Sequence, residues 1–331
     1  MGRMKNRLFY VGIVFAACLV VLASSGMADS HQSLFRTEDA HIRVASFNIR
    51  VGRFSGGSKT WSNRRDMVIS MLAGRKYDVV GLQEALDFQL DEIRQGLPQF
   101  KSYAVDRSRD GQDGEMCAVL YRNDRFVMVD SGTLWFSRNP ERPGSKFFGT
   151  LFPRICSWVR LADVDTARCF YVYNLHLDSL SQRAREKSVR ILADLIENRK
   201  HPDPFVVMGD FNMELQNPAM MYLQQFDMTT PYPRLQDTWA AVYPFRLNEG
   251  TYHRFSGTAS GPKIDHILVQ ESARVLSAAI DRRGIDGCYP SDHFPVSATI
   301  DLWPENESSA KRRLAGQSRR AIVQREQASG G

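Results

Sequence analysis

Several things are missing from this chain, and each absence narrows what it can be. It has no internal repeat and no long Gly/Ser- or Pro-rich linker, so its 331 residues read as one large domain. No CxxC pair or Cys/His cluster is present, so nothing indicates zinc. The body also lacks an excess of charge of either sign. The formal net charge is +6, but Arg3, Lys5 and Arg7 lie in the first 28 residues, and residues 305–331 hold six cations against three acids. What remains has 34 cations and 34 acids, which removes any general electrostatic case for gripping nucleic acid. Cysteine is sparse. Of five, Cys18 lies near the N-terminus; Cys117, Cys156, Cys169 and Cys288 could pair in three ways if exported, or stay as free buried thiols among apolar neighbours.

The rest of the composition, 43% hydrophobic and 24% charged, is that of an ordinary globular protein large enough to fold without staples. The N-terminus differs in kind. Three cations precede an apolar run from Leu8 to Ala23, then small residues up to Ala28. This is the pattern of a signal peptide over 1–28, cleaved after Ala28, with export to the periplasm or medium. An uncleaved membrane anchor is the alternative, and a lipoprotein attached at Cys18 a poorer one. A polar lead-in (29–40) then precedes the domain (41–304). The tail 305–331 is rich in Ser, Arg, Gln and Gly, without apolar periodicity. It reads as disordered, with weak contact to a polyanion or a membrane as its conceivable role.

The informative stretches lie at predicted strand ends. Phe205-Val206-Val207-Met208 reads as a strand buried on both faces, leaving through Gly209 to Asp210 and Asn212. Residues two apart on an extended chain point the same way, so a carboxylate and an amide meet at a sheet rim and could position water beside a phosphate. An Asx turn is the plain alternative. Ile42–Arg50 alternates as a strand carrying Asn48. Tyr77–Glu84 is a buried strand ending in an acid, which suits either a metal ligand or the first turn of the following helix, Phe88–Leu97. Strands are expected over 115–121, 155–161 and 170–178, the last carrying Asn174, His176 and Asp178 on one face. Helices are expected over 61–76 and 182–198. Irregular loops should follow Pro218. Lys263–Val269 reads as a strand with Asp265 in its middle, an acid that wants a partner. His293, in Ser291-Asp292-His293, is the obvious one, since a buried carboxylate fixes an imidazole's tautomer and raises its basicity.

With Ser46-Phe47-Asn48, Gly81-Leu82-Gln83-Glu84, Asn174-Leu175-His176-Leu177, Gly209-Asp210-Phe211-Asn212, Lys263-Ile264-Asp265-His266 and Ser291-Asp292-His293-Phe294-Pro295 in this order, the chain resembles the endonuclease/exonuclease/phosphatase superfamily over about residues 41–303. The resemblance implies a four-layer α/β sandwich, two mixed sheets face to face with helices outside. It also implies a divalent cation, Mg2+ first and Mn2+ or Ca2+ otherwise, held by Glu84, Asn48 and Asp292. Asp210 would orient or deprotonate the attacking water, and Asn212 would bond the phosphate. Asp265 would hold His293 against the phosphoryl oxygen. His176 would face the phosphate with Glu115 as its carboxylate partner, and Arg154 would clamp the phosphate.

Among the family's branches, Glu115, Tyr121-Arg122 and Arg154 favour a nuclease-like phosphodiesterase, while the neutral body disfavours a grip on long duplex DNA. A sphingomyelinase-like lipid phosphodiesterase, a phosphomonoesterase and a catalytically silent binding protein on the same fold are the alternatives. The chain is expected to be a monomer that binds a phosphate-ester substrate. If the signal is cleaved, N-terminal sequencing of exported material should begin near Asp29; a start at Met1 would establish the anchor instead.

Overall fold

The computed structural model describes residues 41–53, 56–108, 114–224, 234–246 and 249–304. The expected signal peptide, the polar lead-in and the basic tail lie outside the described residues. Among those described, no helix is long and apolar enough to cross a membrane.

In chain order the strands are β1 (Ile42–Asn48), β2 (Val79–Ala85), β3 (Phe100–Tyr103), β4 (Met116–Arg122), β5 (Phe126–Trp135), β6 (Ile155–Asp163), β7 (Cys169–His176), β8 (Phe205–Asp210), β9 (Leu235–Asp237), β10 (Asp265–Gln270), β11 (Arg274–Ile280) and β12 (Val296–Asp301). The helices are α1 (Trp61–Ala73), α2 (Asp87–Gly96), α3 (Gln182–Glu197), α4 (Pro218–Gln224) and α5 (Thr238–Val242). Two six-stranded sheets result, ordered β11-β12-β1-β2-β4-β3 and β5-β6-β7-β8-β10-β9. Both are mixed: β1 pairs with β2 and β7 with β8 in parallel, and the other pairs are antiparallel.

Period-two alternation builds the layers. On β1 and β8, Val44, Val206 and Met208 enter the core between the sheets, with Val79, Val119, Val172 and Ile267. Phe205 and Val207 face the other way, onto Val189, Leu192 and Ile196 of α3. Ala45 and Phe47 likewise meet Val68, Met71 and Leu72 of α1. This is a four-layer α/β sandwich, and the expectation that Phe205–Met208 is buried on both faces holds.

Three local readings need correction. Asp265 is the first residue of its strand rather than its middle, since the ladder with β8 begins at the Asp265–Asp210 pair. The region after Pro218 contains α4, with proline at the first helical position, where its missing N–H is no loss. Gly209 sits within β8, where any Cβ would come 2.1 Å from the Leu175 carbonyl oxygen; close approach of β7 requires glycine there. Cys117, Cys156, Cys169 and Cys288 are all unpaired, the first two buried.

Between the sheets, fully buried Asn174 forms a polar knot. Its Nδ2 donates to the carbonyls of Leu82 (2.9 Å) and Ala118 (2.8 Å), and its Oδ1 accepts from Gln83 Nε2 at 2.6 Å. Asn174→Ala strands these groups and should lower stability by about 2–4 kcal/mol. Urea denaturation should read this as a lower midpoint at unchanged slope; a loss under 1 kcal/mol, by the same scale, would show that the knot is dispensable.

Candidate active site

Parallel pairing of β1 with β2 and of β7 with β8 sends four strand ends to one rim. Asn48 closes β1, Glu84 lies near the end of β2, and His176 and Asp210 close β7 and β8 opposite one another in register. Asp265 opens antiparallel β10 directly across from Asp210. A bulge between Leu82 and Ala85 breaks the β2–β4 register, and Glu84 adopts a left-handed φ of 61° there. Bulges re-aim side chains, and this one turns the Glu84 carboxylate toward the rim.

The groups form one connected set around a cleft of about 780 Å³. Asn48 Nδ2 donates to Glu84 Oε1 and to Asp210 Oδ2, both at 3.0 Å. Glu84 Oε2 accepts the Val51 N–H at 2.9 Å. Burial alone would raise the Glu84 carboxyl, but these two donors and the charges of His293 and Arg50 hold it below the usual carboxylate range. Asp210 behaves oppositely. Burial and the neighbouring Asp265 carboxylate lift it to about 7, against the pull of His293, Asn48 and the Asn212 N–H. Its Oδ1 accepts that N–H at 2.9 Å, so the Asx turn is present, while Oδ2 faces His176 Nε2 at 3.5 Å and His293 Nε2 at 3.8 Å. The turn and the site are thus one structure.

His293 Nδ1 donates to Asp265 Oδ2 at 2.9 Å. Burial opposes its protonation, but Asp265, Asp210 and Asp292 together raise it to about 10, so it carries charge near neutrality. His176 is held neutral by burial, by Arg154 and Arg107, and by His293. Asn212, with a left-handed φ of 52°, lines the cleft and gives one amide hydrogen to the Leu177 carbonyl at 3.0 Å.

Glu115 is placed differently from expectation. Its Oε1 accepts from Arg107 Nη2 at 2.7 Å, so its partner is an arginine rather than His176. Arg154, with its side chain mostly buried at the cleft wall, lies 3.8 Å from Asp178 Oδ2. Arg122 pairs with Asp124 beyond the far end of β4 from Glu115, outside the cleft. Lys263 and His266 turn behind the site to buried Asp237, with His266 Nε2 3.0 Å from the Met213 carbonyl.

The sequence reading missed Arg50, Arg64, Arg107 and Tyr252. Arg64, fully buried in α1, donates to the carbonyls of Ile49, Arg50 and Lys59 and to that of Pro290, tying together the two loops that carry Arg50 and Asp292. Tyr252 bridges to His293 on the backbone and packs its ring 4.8 Å from the imidazole.

Glu84 and Asp292 supply the hard oxygen donors that a divalent cation such as Mg2+ takes. Arg50 lies between them, 3.8 Å from Glu84 Oε2 and 3.7 Å from Asp292 Oδ2, so the two acids already share one positive charge. These residues fit a cation. Asn48 fits less directly, because its Oδ1 accepts the Arg50 N–H and its Nδ2 faces the acids. Among the described residues, two groups of acids and histidines have ligand atoms within 4.8 Å of one another, Glu84 with Glu115 and His176, and Asp210 with Asp265 and His293. Asp292 belongs to neither and reaches Glu84 through Arg50.

A model of the endonuclease/exonuclease/phosphatase family matches residues 45–293, and the chain belongs to that family, whose members hydrolyse phosphate esters. Among solved structures, the family member from Bacteroides vulgatus is 28% identical at a TM-score of 0.72, over 79% of this chain and 99% of that one. A mannosyl-6-phosphatase from Bacteroides thetaiotaomicron is 29% identical at 0.68, over 78% and 99%. TDP2 from D. rerio, complexed with a single-stranded DNA product, is 17% identical at 0.63, over 78% and 98%, and shares the fold.

Asp265→Asn should keep the fold but cut turnover by about 10²–10⁴-fold, because an amide cannot stabilise the imidazolium or fix its tautomer in the same way. A loss below tenfold, with the thermal midpoint preserved, would contradict the role given to this pair.

Proposed function

We propose that this protein is an exported, magnesium-dependent phosphoesterase acting on a compact phosphate ester. The observation that carries this reading is the meeting of Asp210 with the Asp265–His293 pair at the rim, beside Glu84. A carboxyl lifted to about 7 is suited to take a proton from water near neutral pH. The imidazolium of His293, held by Asp265, donates toward the phosphoryl or leaving oxygen as negative charge develops there. Neutral His176 and the Asn212 amide offer further hydrogen bonds, and Arg154 offers charge. A divalent cation held by Glu84 and Asp292 would supply Lewis-acid stabilisation of the phosphate oxygens.

A compact substrate is favoured over a polymer by the cleft's mixed lining, in which acids and arginines alternate, and by the neutral body. The likeness to a mannosyl-6-phosphatase supports a sugar phosphate as the starting choice. Nuclease-like cleavage of a phosphodiester is the second reading, carried by Arg154 and Arg107 at the cleft wall. Export rests on the N-terminal sequence pattern alone.

Mannose 6-phosphate, p-nitrophenyl phosphate, its bis ester and plasmid DNA should be offered side by side with magnesium. Monoester hydrolysis that EDTA abolishes and Asp210→Asn lowers by at least about 10²-fold is expected. Preferred cleavage of the bis ester or of DNA would move the protein to the second reading. Near-normal turnover in Asp210→Asn would refute the assigned base.

A further inference from the structure

Charge on the cleft wall is almost entirely paired. Arg50 lies between Glu84 and Asp292, Arg107 bonds Glu115, and Arg154 lies beside Asp178. Arg254 differs. Its side chain is exposed on the same cleft, and no carboxylate among the described residues approaches its guanidinium, which lies 5.6 Å from the centre of the Tyr252 ring. Tyr252 in turn lies 4.8 Å from the His293 imidazole. Arg254 is therefore no farther from the imidazole than those two distances together, a gap that a sugar ring can bridge.

The segment presenting these two side chains is held rigidly. The Thr251 hydroxyl accepts the N–H groups of Ile264 and Asp265, and its carbonyl accepts that of Phe294 at 2.8 Å. The N–H groups of His253 and Arg254 both donate to the Asp292 carbonyl, at 2.8 and 3.2 Å. The His253 ring stacks on Phe294 at 3.8 Å and accepts the Gly257 N–H at 3.0 Å. Arg254 and Phe255 both take left-handed φ angles, 53° and 65°, without being glycine. Such backbone persists where surrounding structure over-determines it, and it clusters at ligand clamps. Here the anchors are the residues on either side of the catalytic pair, so the position of Arg254 is set by the same contacts that set His293.

We propose that Tyr252 and Arg254 form the leaving-group subsite, and that the preferred substrate is a phosphate ester whose leaving alcohol carries a second anionic group about one sugar ring away from the scissile phosphate. The term leaving-group subsite rests on the hydrolase reading above. A neutral leaving group would leave Arg254 in water, where it contributes nothing. An anion there meets a planar guanidinium able to bind phosphate in bidentate fashion, while the ring between the two phosphates lies along the tyrosine face.

The test compares glucose 1,6-bisphosphate with glucose 6-phosphate. Binding of each to the full chain carrying Asp210→Asn is measured by calorimetry with magnesium, with and without Arg254→Ala, and turnover of each is measured in the wild type. The bisphosphate should bind at least about tenfold more tightly, Arg254→Ala should remove most of that preference, and Arg254→Lys should keep part of it. Equal affinity for the two sugars, or a preference that survives Arg254→Ala at an unchanged thermal midpoint, overturns the subsite. Turnover without preference would sink the subsite and leave the hydrolase standing. Preference without turnover would do the reverse.

Discussion

The Asn48 amide joins an acid of one sheet to an acid of the other. Glu84 belongs to the first sheet and Asp210 to the second, and both accept from the same Nδ2. The two carboxylates are held close beside a largely apolar sandwich, which is costly unless donors and positive charge surround them. Much of the rim answers that demand. The Val51 N–H, the Asn212 N–H, the Arg50 guanidinium and the His293 imidazolium each address one of these acids. The four-layer fold matters here because parallel pairing within each sheet sends their ends to the same edge.

The two acids are also driven apart in basicity. Glu84, with hydrogen-bond donors on both oxygens, stays ionised, whereas Asp210, more deeply buried and facing Asp265, is raised to about 7. Groups of one kind pushed in opposite directions by their surroundings are how a site assigns distinct tasks to chemically identical side chains. The same division appears in the histidines. Burial and two arginines keep His176 neutral, while three carboxylates overcome burial to keep His293 charged. Of the acids, one is suited to carry fixed charge and the other to exchange a proton; of the histidines, one is a charged donor and the other a neutral hydrogen-bonding group.

Much of this was legible in the sequence because strands ending in Asn48, Glu84, His176 and Asp210 break a rule: polar groups that close apolar runs need a reason. The alternating pattern that made those strands visible also located the core. Edge strands were harder to read. In β11 just Ala278 is buried, so it shows no alternation to detect, and β5 is buried mainly at its ends. Arg64 was invisible for a different reason. On a helix it looks like a solvent-facing residue, and its burial depends on carbonyls from residues 49, 50 and 290, which no local pattern brings together. Arg107 and Tyr252 likewise owe their roles to loops that the fold folds back on the rim. The partnership of Glu115 with Arg107 in place of His176 follows from that same loop geometry.

Backbone conformation carries the rest of the site and was hidden at three of its four positions. Arg50, Glu84, Asn212 and Arg254 all line the cleft, and all four have φ between 52° and 61°. Glycine or asparagine usually signals this region, and of the four positions just Asn212 gives that signal. At roughly 1–3 kcal/mol each, four such residues are a large sacrifice for a domain whose net stability is of order 5–15 kcal/mol. That sacrifice is tolerable where each residue is fixed from several sides: Glu84 by the bulge and two donors, Arg50 by Arg64 beneath its carbonyl, and Arg254 by the Asp292 carbonyl. Relaxing any of them to ordinary strand geometry would turn its side chain away from the cleft. The strain is therefore concentrated where side-chain direction has the greatest consequence, and the two layers of helices and the inter-sheet core provide the rigidity that sustains it.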